Sequence, residues 1–216
     1  MKKTIIRIAL AAAAAGLAGG ASAGVIASFG ANSAIRSPTH AANFDANTTL
    51  AGNYAENGLL FSYTGSAGNN GCGYAGVDCY DDVSELSPAF QGNYMATAGN
   101  NAYVSIRLAG GGEMYGLEFA AGSGYLGLNG YWKTYNDNLQ TGAGNFSMPV
   151  GAILGLRDAA GFDEVRYYAF STANKQSGFS AAAIDQVRAD VPEPGSALLL
   201  ACGLLGMGVA RRRREG

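Results

Sequence analysis

Apolar residues in this chain come in short runs, many alternating with polar ones, separated by Gly- and Asn-rich stretches. Tyr103-Val-Ser-Ile-Arg-Leu108 is the clearest case. Val104, Ile106 and Leu108 oppose Tyr103, Ser105 and Arg107, which is the period of a strand with one apolar face. Tyr115, Leu117 and Phe119 share a face of the next segment, and Val165, Tyr167 and Ala169 repeat the pattern further on. The pattern predicts strands over Val25–Phe29, Leu59–Tyr63, Tyr94–Thr97, Ala102–Leu108, Glu113–Ala120, Tyr125–Leu128, Val150–Leu156, Glu164–Phe170 and Ala181–Val187. Ala109-Gly-Gly-Gly112 suits a hairpin turn between two of them. Short strands punctuated by turn residues fit a β-sandwich, with helices expected only at the two ends of the chain.

Those ends have a different pattern. Met1-Lys-Lys-Thr-Ile-Ile-Arg7 is a basic segment followed by an apolar run through Leu17 and the small-residue pair Ala21 and Ala23. This is the layout of a signal peptide over residues 1–23, with Gly24 as the new N-terminus after signal peptidase. At the other end Val191-Pro192-Glu193-Pro194 precedes an uncharged stretch from Gly195 to Ala210, and Arg211, Arg212, Arg213 and Arg214 follow it. As a helix that stretch spans roughly 24 Å, short of a ~30 Å hydrocarbon core, and snorkelling arginines close the gap. A buried core helix would show a polar face, and this run has none. Both basic clusters resist translocation, so everything between them belongs on the far side of the inner membrane. The two prolines hold residues 191–194 extended, in a form that a processing enzyme can take up.

The ordered set of Val191-Pro192-Glu193-Pro194, the apolar Leu198 to Ala210 and the four arginines resembles the PEP-CTERM sorting signal of Gram-negative bacteria. The resemblance implies that exosortase, a membrane protease/transpeptidase, removes residues 191–216 and passes the protein to the cell surface or the extracellular matrix. A second likeness lies further in. Phe162-Asp-Glu-Val-Arg-Tyr-Tyr-Ala-Phe170 and Ala183-Ile-Asp-Gln-Val187 are similar to the closing strands of many PEP-CTERM proteins, with Gln186 where a second Asp often stands. Asn43-Phe-Asp45, Asn53-Tyr54 and Gly58-Leu-Leu-Phe61 have the matching look of an opening strand pair. The resemblance implies an all-β, jelly-roll-like β-sandwich over residues 24–190.

Separating the ends changes the charge. Of 14 Lys and Arg, seven lie in the two end segments; of 16 Asp and Glu, only Glu193 and Glu215 do. The part between them carries 7 against 14, a net charge of about −7, which disfavours nucleic acid as a partner. All 22 aromatic residues fall in this part, and Gly, Asn, Ser and Thr abound in it, as in an exported β protein. Cys72 and Cys79 are its only cysteines, so in an oxidising compartment a disulfide between them is expected.

Candidate chemistry is sparse. Asp78, Asp81, Asp82 and Glu85 crowd beside the cysteine loop and can supply oxygens to calcium, although EF-hand spacing is absent and a solvated acidic turn explains them equally. Asp45 and Asp185 form a second calcium candidate if the terminal strands pair. No other cofactor is implied. Tyr125, Tyr131, Trp132 and Tyr135 are the densest aromatic stretch and form a candidate glycan platform, or simply core. Catalysis finds little support. Glu113 and Glu118 fall on opposite faces of an unbroken strand, Asp163 and Glu164 are adjacent and diverge, and His40 is the single histidine. The expectation is therefore a non-catalytic structural or adhesive protein of the surface or exopolysaccharide matrix. The alternatives are a carbohydrate-binding module and a polysaccharide-acting hydrolase.

Overall fold

The computed structural model describes residues 24–45, 53–65, 89–123, 129–147, 153–170 and 177–191. They form twelve strands: β1 Ile26–Phe29, β2 His40–Ala42, β3 Asn53–Glu56, β4 Leu59–Thr64, β5 Met95–Asn100, β6 Tyr103–Leu108, β7 Met114–Ser123, β8 Asn129–Asn136, β9 Leu139–Ser147, β10 Ile153–Phe162, β11 Glu164–Phe170 and β12 Phe179–Asp190. Among the described residues no helix is long and apolar enough to cross a membrane. The two targeting segments, Cys72 and Cys79 lie outside the described residues, as does the strand expected over Tyr125–Leu128.

All twelve strands belong to one hydrogen-bonded sheet, but among the described residues a single residue pair, Phe170 with Ser180, joins its two halves. One half runs β3-β4-β6-β11-β8-β9. The other runs β1-β10-β7-β12-β5, with β2 continuing beyond β5 along the same edge of β12. The halves face each other across a shared core. Leu59, Phe61, Val104, Ile106, Val165 and Tyr167 come from one side, and Leu117, Phe119, Leu154, Leu156, Ile184 and Val187 from the other. Phe119 meets Tyr167 edge-on at 5.3 Å, and the Tyr167 hydroxyl donates to the Gly122 carbonyl at 3.1 Å. At one rim Phe29 of β1 meets Phe146 of β9 at 5.1 Å. The result is an all-β, sandwich-like fold whose inward residues on β6 and β11 are those of the sequence pattern.

Two expectations need correction. Ala109–Gly112 does not turn a hairpin, because β6 pairs with β4 and β11 while β7 pairs with β10 and β12. The apolar faces of β6 and β7 lie opposite each other in the core instead of side by side. A glycine-rich link permits either route, and here Gly111 and Gly112 take φ of 73° and 98° to cross between the halves. The second correction adds β8 and β9, which the apolar pattern did not separate. They form a hairpin through Asp137 and Asn138, at φ 51° and 64°. Two central residues with positive φ are the signature of a type I′ turn, and Asp and Asn tolerate it. The opening pair does occur: β3 and β4 are joined through Asn57 and Gly58, also both at positive φ.

Candidate functional site

The period-two geometry of β8 divides the expected glycan platform. Trp132 points into the core, 5 % exposed, and its ring fills the space beside Gly144 of β9. Tyr131 and Tyr135 point the other way. A platform containing both Trp132 and these tyrosines is thus overturned by the alternation of the strand. Tyr131 is buried too, in an outer-face cluster with Tyr168 and Phe170, and only Tyr135 of the described three is half-buried. Tyr125 lies outside the described residues.

What that outer face does present is a charged centre. Glu164, 2 % exposed, accepts both arms of Arg166 at 2.8 Å, the Ser105 hydroxyl at 2.7 Å and Arg107 at 2.6 Å. Burial alone would raise its pKa, but hydrogen bonds from Arg166, Ser105 and Arg107 outweigh burial and hold it down to about 2. Arg166 lies between two rings, 4.2 Å from the centroid of Tyr135 and 5.0 Å from that of Tyr103. Lys133 caps Tyr131 and Tyr168 at 5.6 and 5.8 Å. The sequence had placed Glu164 only in a weak catalytic pair. Its partners come from β6 and β11, and Ser105 and Arg107 could have been foreseen on the polar face of β6.

Replacing Glu164 with Gln removes the charge that organises both arginines. The expected cost is about 2 kcal/mol at neutral pH, below the usual range for breaking a buried pair because the arginines stay partly hydrated. Urea unfolding checks it. Since the folded pKa is depressed, the Glu164 contribution is present above about pH 4.5 and is lost as pH falls through 2, where the gap between Glu164→Gln and the parent should close.

The other carboxylates hold backbone or neighbouring polar side chains. Glu118, 1 % exposed, accepts the N–H groups of Ser33 and Ala34 at 2.7 and 3.2 Å and pairs with Arg188 at 3.2 Å. Glu113 takes Tyr115 and Asn136 instead, so the two glutamates serve different neighbours. Asp163 accepts the N–H of Asp137, and the His40 Nδ1 sits 3.0 Å from the Thr39 hydroxyl. The Asn43-Phe44-Asp45 motif forms a turn with Phe44 at φ 62°, and Glu56 accepts the N–H groups of Asn43 and Phe44.

Asp45 and Asp185 converge on one segment. Asp45 Oδ1 accepts Asn93 N–H at 3.0 Å, while Asp185 Oδ2 accepts Gln91 N–H at 2.7 Å. The terminal strands do pair, with Ala42 opposite Val187. Asp185 is fully buried at a β-bulge where Gln186 adopts φ 49°. Burial pushes its pKa up to about 7, and the charge of Asp45 adds to the rise, against hydrogen bonds from Gln91 and Gln186. Among the described residues no three His, Cys, Asp or Glu side chains gather as metal ligands. Asp78, Asp81, Asp82 and Glu85 lie outside those residues.

The two ends of the described chain meet at one pole. Ile26 pairs with Arg157, Arg157 with Gly116, and Gly116 with Asp190, a single row across four strands. Three interstrand steps of about 4.8 Å separate its ends by roughly 14 Å. Beside this row Val191, the residue after β12, donates its N–H to the Thr39 hydroxyl at 3.0 Å. Residues 190–214 match the model of the PEP-CTERM protein-sorting motif. This chain carries a PEP-CTERM sorting motif. The motif marks a Gram-negative protein exported as a target of exosortase. No curated protein matches the chain. The matched segment opens on Asp190, the last residue of β12, so domain and sorting motif adjoin without a spacer.

Proposed function

We propose that this PEP-CTERM protein is a non-catalytic structural or adhesive component of the cell surface or exopolysaccharide matrix, comprising a signal peptide (1–23), a β-sandwich (24–190) and a removable tail (191–216). The observation that carries the reading is the common pole of Ile26 and Asp190. Signal peptide and tail can enter one membrane from the same end of the domain, leaving the rest projecting outward. Its described carboxylates support the non-catalytic reading, since each strand carboxylate named above is committed to a backbone or arginine partner. The strand neighbours β5-β12-β7-β10 and β6-β11-β8-β9 follow the order of an eight-stranded jelly roll, with β1 and the β3–β4 hairpin added at the rims, which supports that topology. A calcium ion belongs to this reading at Asp45 and Asp185, where a dication would offset two converging carboxylates.

Carbohydrate binding is the second reading, favoured by the half-buried Tyr103, Arg166 and Tyr135 stack on the outer face. One experiment separates the two. The exported protein is isolated from an exosortase-positive host, its mass is measured, and its retention on the host's extracellular polysaccharide is compared with that of Tyr135→Ala. Loss of residues after the sorting motif is expected, with retention unchanged by the substitution. Loss of retention in Tyr135→Ala would favour the glycan site, and exported protein still bearing Arg211–Arg214 would refute the sorting reading.

A further inference from the structure

The sorting motif does not begin beyond the fold; its first residue is inside it. Val191 packs its side chain against the main core and donates its N–H to Thr39 Oγ1 at 3.0 Å. Thr39 binds back, its N–H to the Ala189 carbonyl at 2.9 Å and its hydroxyl to the same oxygen at 3.2 Å. Ala189 is paired with His40 on one side, and Asp190 with Gly116 on the other. A protease takes up an extended substrate by pairing with its backbone as an added strand. While β12 stays zipped, the backbone of residues 189–191 is already engaged by Thr39, His40 and Gly116.

Reach adds a second constraint. From Val191 to Gly195, where the apolar run starts, four residues span at most about 14 Å. That is little more than the ~10 Å between packed sheets. An enzyme seated on the membrane must therefore take up the motif hard against the domain while Val191 is held there.

We propose that the folded domain gates removal of its own tail: Thr39 and the end of β12 form a strap that must open before Val191-Pro192-Glu193-Pro194 enters exosortase. This rests on the reading that the motif is processed. Opening the strap costs the hydrogen bonds of Thr39 and the seat of Val191 in the core, so it sets how often the motif is presented. The partner surface is then the closed pole itself, with Thr39 and His40 on the side the enzyme must displace.

The test uses the full precursor, produced together with a cognate exosortase, with tail loss followed by pulse-chase. Thr39→Val removes the hydroxyl and keeps the shape; Thr39→Ser keeps the hydroxyl. A third form carries a flexible Gly/Ser insertion of about six residues ending in a second valine between Val191 and Pro192, which supplies slack, leaves the strap untouched and keeps a Val-Pro-Glu-Pro sequence whole. Thr39→Val should be processed about three- to tenfold faster, as expected for losing one or two such bonds, with faster hydrogen exchange at the Val191 amide, the core amides around Tyr167 still protected and the unfolding midpoint only slightly lowered. The insertion should be faster still, and Thr39→Ser should match the parent. If Thr39→Val and the insertion both lose their tails at the parental rate, the gate is wrong and the sorting reading stands. If no form loses its tail, the insertion included, both fall.

Discussion

Replacing Tyr167 with alanine is expected to cost about 4 kcal/mol, the scale of truncating a large aromatic ring in a packed core. Tyr167 is fully buried at the middle of β11 and faces the other half of the sheet across the core. Its ring faces the edge of Phe119 at 5.3 Å and stacks on Phe146 at 6.4 Å, so truncation opens a cavity between three strands at once. An aromatic pair of this geometry adds about 1 kcal/mol beyond its buried area. The hydroxyl is a separate contribution, since it donates to Gly122 O from the opposite half. Tyr167→Phe isolates that bond and should cost about 1 kcal/mol. Denaturant unfolding of both variants checks the claim. An alanine effect as small as the phenylalanine effect would mean that the halves do not pack through this ring.

Stability is expected to fall by up to about 4 kcal/mol as pH rises from 4 to 7, with Asp185 responsible. Its folded pKa is pushed up to about 7 by burial, against an ordinary value of 3.8. The folded state therefore holds a proton through this window while the unfolded state has released it. A raised carboxyl pKa contributes stability below the unfolded value and loses it as pH climbs through the folded one. The full figure is an upper bound, because the Gln186 bulge can relax to admit water. Asp185→Asn should flatten the profile. At pH 4 the variant should be the less stable protein, as its amide sets an N–H against the N–H of Gln91 or Gln186. By pH 8 the order should reverse. Glu164 acts in the opposite direction below pH 4.5, so the parent should be most stable near pH 4 to 5. A flat parental profile from pH 4 to 8 would show that Asp185 ionises without penalty, and calcium bound between Asp45 and Asp185 would produce the same flattening only when the ion is present.

The strands that could be read from the sequence are those whose inward residues are large. Val104, Ile106 and Leu108 on β6, and Val165, Tyr167 and Ala169 on β11, alternate cleanly with polar neighbours, and both strands lie where the pattern puts them. β9 escaped because its inward positions include Gly142 and Gly144. Glycine there makes room for Val25 and for the Trp132 ring, so the absence of apolar side chains is itself a packing requirement. The hairpin before it was still legible in the pair Asp137-Asn138. The glycan platform failed for a related reason: aromatic density was counted along the chain, whereas a strand sends Trp132 and Tyr131 to opposite faces. Strand partners were the least accessible part. Glycines 110–112 tolerate a hairpin or a crossing, and the choice between them is made by residues far away on β4, β10, β11 and β12. The Thr39 strap joins residues 152 positions apart, beyond any local signal.

The row that runs from Ile26 through Arg157 and Gly116 to Asp190 bears on how this domain can be rebuilt. Its two ends are close enough for a bridge of about five residues to join them. A chain closed there and reopened at Asn57-Gly58 or Asp137-Asn138 would keep every strand neighbour while beginning and ending elsewhere. The order in which these strands are synthesised is then separable from the architecture they form. Such a circular permutant would retain the sandwich and carry its new ends in a hairpin turn at the same pole, where Gly58 lies against the His40 ring and Asn136 bonds Glu113 just before β7.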